Sequence, residues 1–126
     1  MKVGRGAWAA HLSYCTNIHP GESWAETRSN LATYLPPLKA RLSPDAPFGV
    51  GLRLSARAAA GLNVPGEIER ALDELRSNGL YVYTINGFPY GTFHGQPVKE
   101  QVYRPDWRTP ERLAYTDLLA DLLAQL

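Results

Sequence analysis

Short apolar runs alternate along the chain with apolar positions at helical spacing. The first run is Leu12-Ser13-Tyr14-Cys15-Thr16-Asn17-Ile18, and it stops at the turn His19-Pro20-Gly21. Ser23-Trp24-Ala25-Glu26 then predicts a capping box, with the Ser23 hydroxyl accepting from the Glu26 amide while the Glu26 side chain reaches back. Trp24, Leu31, Leu35, Leu38 and Leu42 follow as one helical stripe, with Arg28, Asn30 and Lys39 off it. Pro36-Pro37 lies inside that stripe, and the missing backbone donors predict a kink or break near Leu35.

After the turn cluster Ser43-Pro44-Asp45-Ala46-Pro47, the run from Phe48 to Leu54 reads as the second strand. Its glycines, Gly49 and Gly51, suggest close backbone packing or a bend. A helix is expected from Ala56 to Leu62, a break at Asn63, and a restart with Pro65 at the first helical position. Ile68, Ala71, Leu72 and Leu75 form its apolar stripe, and Asn78-Gly79 stops it. Leu80 to Asn86, aromatic and β-branched, is the clearest strand. From Gly87 to Arg108 no periodicity is visible. Thr109 as N-cap and Pro110 at the first position then open a last helix with the stripe Leu113, Thr116, Ala120 and Leu123.

The predicted order is β-α-β-α-β-loop-α. Strand starts about 30 to 35 residues apart match single strand–helix units, so the sheet is expected to be parallel with right-handed crossovers. Three parallel strands make a very small sheet, and such sheets are normally covered on both faces. The last helix also reaches Leu126 without a stop signal. Residues 1–126 are therefore expected to be the amino-terminal part of a single, longer domain. Taken alone, unpaired strand edges predict self-association or poor folding.

Composition narrows the classes of function. The chain has 126 residues, 44% hydrophobic and 20% charged, with a formal net charge of +1. Without a basic stripe there is little electrostatic grip on phosphates, so no nucleic-acid partner is expected. Cys15 is the only cysteine, which excludes an intrachain disulfide and suggests a reducing, cytoplasmic setting. Its expected role is that of a small buried hydrophobe. No stretch is long and apolar enough for a signal peptide or a membrane span.

In parallel α/β folds, sites gather at the carboxyl ends of the strands. This selects Asn17 and His19 after the first strand, Arg53 and Ser55 after the second, and the segment from Asn86 after the third. His19 is a candidate acid or base, set against a plain loop histidine. Arg53, a charge in an apolar strand, needs a partner. It can clamp an anionic substrate or belong to a structural ion pair. The third loop is long, and its aromatics, glycines and prolines suit a pocket wall, with His94, Lys99 and Glu100 as polar contacts. The other reading is a packed structural loop. Phosphate-binding loops and nucleophile elbows are absent. His19, His94, Glu100 and Asp106 are metal-ligating types but lack a diagnostic spacing.

Several blocks resemble the EboE metabolite-traffic family. They run from Tyr14 to Trp24, from Pro44 to Ser55, from Thr84 to Gly91, through Phe93-His94-Gly95 and Val98-Lys99-Glu100, and from Tyr103 to Trp107. That family is similar to xylose isomerase-like TIM barrels, so the resemblance implies the first three βα units of a (β/α)8 barrel. It implies a sugar-phosphate isomerase- or epimerase-like protein acting on or handling a small polar metabolite. A divalent metal is implied for the full-length protein, with ligands mostly outside this chain. On this view His19 and His94 are catalytic, Asn17, Arg53, Asn86, Lys99 and Glu100 bind substrate, and the metal ligands are unknown. The fragment alone would be inactive. The alternative is a non-catalytic barrel that binds or escorts a metabolite, and a repair-nuclease role is weaker because basic patches are lacking.

Overall fold

The structure, a computed structural model, describes residues 1–4, 8–92, 94–95 and 99–126, with Lys99 described by its backbone alone. Three strands form a parallel sheet in sequence order: β3 (Ser13–Cys15), β4 (Phe48–Arg53) and β5 (Leu80–Asn86). Two short strands, β1 (Lys2–Val3) and β2 (Ala10–His11), pair antiparallel ahead of it. The helices are α1 (Trp24–Leu42), α2 (Ala56–Leu62), α3 (Glu67–Ser77) and α4 (Pro110–Gln125). The fold is thus mixed α/β with parallel pairing, as the alternation of patterns predicts. Among the described residues, no helix is long and apolar enough to cross a membrane.

Strand alternation decides what each face of the sheet does. Phe48, Val50 and Leu52 of β4 point into the helix layer, where Trp24 and Leu35 of α1, Leu62 of α2, Leu75 of α3 and Leu122 of α4 bury against the sheet. Gly49, Gly51 and Arg53 lie on the opposite face. A Cβ on Gly51 would sit 3.2 Å from Thr84 Oγ1, and one on Gly49 would sit 3.2 Å from the Tyr81 hydroxyl and 2.9 Å from the amino terminus of Met1. The expected close packing at these glycines is therefore present. In β5 the register slips, with Val50 opposite Val82 but Gly51 opposite Thr84, leaving Tyr83 as the extra residue. His11 stacks on Tyr83 and meets the Tyr81 hydroxyl at 2.8 Å.

Several local expectations are corrected. The first strand ends at Cys15, and Thr16–Ile18 form a 3-10 turn. The backbone N–H of Arg53 there donates to Thr16 Oγ1 at 2.8 Å, so a side chain replaces the next ladder bond. Cys15 is exposed, not buried, because its register opposite Gly51 places it on the face away from the helices. α1 runs unbroken through Pro36 and Pro37. The carbonyls that lose their donors belong to Ala32 and Thr33, both exposed residues, while Leu35 anchors the same turn in the core. α3 begins at Glu67, not Pro65, because Gly66 takes a left-handed conformation (φ 86°) that carries the turn.

The capping box at Ser23 and Glu26 forms as predicted, and β5 spans the predicted residues. α4 starts at Pro110, but the Thr109 hydroxyl donates to the Asp106 carbonyl at 3.0 Å and does not cap the helix. Its buried face is Tyr115, Leu119 and Leu122, not the predicted stripe, of which Leu113 and Leu123 are exposed. Apolar residues surround this helix on all sides, so spacing alone selects no face.

Candidate functional site

The loops at the carboxyl ends of β3 and β4, and the segment after β5, converge on Arg53. Its side chain is 2% exposed. Nη1 donates to the Gly21 carbonyl at 2.8 Å and to Glu22 Oε1 at 3.2 Å, and Nη2 donates to the Gly91 carbonyl at 3.0 Å. One side chain thereby ties the loop after β3 to the segment after β5. Glu22 is held from three sides. Its carboxylate takes the Arg53 bond, its carbonyl accepts from Ser55 Oγ at 2.7 Å, and its N–H donates to Glu26 Oε2 at 2.9 Å. Ser55 also caps α2, accepting from the Ala58 N–H at 3.0 Å.

His19 stands at the edge of this cluster. Its ring stacks on Tyr34 with centroids 4.2 Å apart, and Nε2 meets the Tyr14 hydroxyl at 3.0 Å. Burial, followed by the nearby His94, lowers its pKa, which favours the neutral imidazole at pH 7. His94, half-buried, lines an open crevice of about 380 Å³ with Glu22, Glu26, Ser29 and Asn30. That volume falls in the range of small-molecule sites. Beside it, a pocket of about 10 Å³ is lined by Thr16, His19, Thr27, Asn30 and Arg53. Glu26 keeps its carboxylate ionised because the Ser23 N–H and hydroxyl and the Glu22 N–H all donate to Oε2, lowering its pKa.

The structure places His19 and Arg53 in the side pocket and His94 in the crevice beside it, and holds the other expected residues elsewhere. Asn17 Oδ1 accepts from the Cys15 thiol at 3.1 Å. Asn86 Oδ1 accepts from the Phe88 N–H at 3.1 Å, and Asn86 lines a separate crevice with Phe88, Trp107, Arg112 and Leu123. Glu100 is exposed in a 3-10 turn over Lys99–Tyr103. The expected role of Lys99 rests on a side chain outside the described residues. Glu22, Ser29 and Asn30 were not predicted as site residues, and Glu26 was predicted only as a cap. Their one visible signal is position, Glu22 directly after the His19-Pro20-Gly21 turn and the others in the first two turns of the helix that follows.

Arg53 itself is engaged as the structural half of its two expected roles, a buried ion pair, which leaves no exposed guanidinium to clamp an anion. Nor do these residues fit a divalent metal. Among the described residues, no group of three or more His, Cys, Asp or Glu is placed to hold one. The nearest donors are also engaged: His19 Nε2 with Tyr14, Glu22 Oε1 with Arg53, and Glu26 Oε2 with three donors. The arrangement can bind hydroxyls and exchange protons through neutral imidazole. Compared with family models, with curated proteins and with solved structures, the chain has no significant match in any of the three.

Proposed function

We propose that this chain is the amino-terminal part of a xylose isomerase-like (β/α)8 barrel that handles a small polar metabolite, with the crevice of His94 and the adjoining pocket of His19 as part of its ligand site. The observation that carries this reading is an open crevice at the carboxyl ends of parallel strands, where His94 of the segment after β5 faces Glu22, Glu26 and Asn30, with His19 in the pocket beside it. Sequential parallel strands with helices packed on one face are compatible with the first units of such a barrel. In an isomerase- or epimerase-like reaction, neutral His19 is suited to accept a proton next to a carbonyl, with Tyr14 and Tyr34 holding the ring. A divalent metal belongs to this reading only through ligands beyond the residues described. The second reading, a binding or escort protein, is favoured by the engaged state of the carboxylates nearest the imidazoles.

The test uses D-glucose as probe and the His19 and His94 ring resonances as readout. Both sets should shift on titration. His94→Ala should weaken binding about tenfold while the Tm stays within about 2 °C. Unshifted rings, or a large loss of Tm with unaltered binding, would refute the site.

A further inference from the structure

We propose that this crevice selects neutral or cationic polyhydroxylated ligands and rejects anionic ones such as phosphate esters, an inference that rests on the crevice being the ligand site. Its wall carries two carboxylates, of which Glu22 is balanced by Arg53, so that Glu26 supplies the net negative charge. Among the described residues, the only Lys or Arg in the crevice and its side pocket is Arg53, which is buried and already neutralised by Glu22. Arg57, whose charge reaches Glu26, is exposed on α2 and lines neither space. The amino end of α1, which offers unpaired N–H groups to anions in other folds, is closed here by the Ser23–Glu26 capping box.

The remaining groups suit hydroxyls. Arg53 Nε is buried and has no hydrogen-bond acceptor among the described residues. Arg53 lines the side pocket, whose volume of about 10 Å³ is the room one oxygen needs. A hydroxyl or water oxygen fits there, among Thr16, Thr27 and Asn30. Ser29, Asn30 and the Glu26 oxygen that takes no part in the capping box can receive further hydroxyls or an ammonium group.

The matched probes are D-glucosamine, D-glucose and D-glucose 6-phosphate, followed by the same ring resonances at one ionic strength. The first two should bind at least about tenfold more tightly than the phosphate ester. Glu26→Gln, which retains an acceptor for the cap, should shrink that gap. In the wild-type chain, raising salt from about 0.01 M to about 1 M should shrink it too. The phosphate ester binding as well as glucose, or a gap indifferent to both Glu26→Gln and salt, would overturn the inference and leave the site standing. Failure of all three probes to shift either ring would overturn the inference and the site together.

Discussion

Replacing Arg53 by Met keeps most of the side-chain volume and removes every bond of the clamp. The variant loses the ion pair to Glu22 at 3.2 Å and the bonds to the Gly21 and Gly91 carbonyls at 2.8 and 3.0 Å. Removing one partner of a buried pair costs about 3–5 kcal/mol, because the other charge is stranded. Glu22, however, is 24% exposed, so water recovers part of its solvation. The two stranded carbonyls each add about 1 kcal/mol where water cannot reach them. These terms overlap, and the expected loss is about 2–4 kcal/mol, or a fall in Tm of roughly 6–20 °C for a chain of this size. Glu22→Gln should cost at least as much, about 3–5 kcal/mol, since its amide oxygen still accepts from the guanidinium but leaves that buried charge without a counter-charge. Urea unfolding followed by fluorescence reads both, because Trp24 is buried in the core. An Arg53→Met loss below about 0.5 kcal/mol, the scale of an ordinary surface change, would refute the clamp.

Two further outcomes follow from packing and from protonation. Leu119→Ala should cost about 2–4 kcal/mol and Leu123→Ala less than about 1 kcal/mol, because Leu119 is 7% exposed and Leu123 is 38% exposed. Equal losses in urea melts would contradict the assigned face of α4. The folded state lowers the His19 pKa through burial and then through His94. Below about pH 6.5, the unfolded chain therefore takes up a proton that the native site refuses. Stability should fall as pH drops through this window, and His19→Gln should flatten the slope of Tm against pH. A wild-type Tm that rises between about pH 7 and pH 5 would show the sign to be wrong.

Local chemistry was legible in the residues. The capping box needs only Ser23 and Glu26, three positions apart, and it forms as its spacing dictates. β5 was legible because its β-branched and aromatic residues follow the Asn78-Gly79 stop directly. The alternation of strand and helix patterns likewise determined the parallel α/β class, and strand ends pointed to His19, Arg53 and the third loop. Where several local choices are equal, sequence is silent. α4 carries apolar residues on every side among its polar ones, so only its neighbours chose Tyr115, Leu119 and Leu122 for burial. Pro36 and Pro37 disfavour a helix locally, yet α1 runs through them with Leu35 buried in the core and Ala32 and Thr33 exposed.

The site divides in the same way. The sequence by itself determined that Arg53, a charge in an apolar strand, must find partners. Only the tertiary structure decided that these are Glu22 and Gly91, 31 and 38 residues away along the chain. It also decided that Asn86 faces a different crevice from His94. Short-range hydrogen bonds and periodicity are written in neighbouring residues. Which distant loops meet depends on how the strands pair and which helix faces they bury, a joint property of the whole chain.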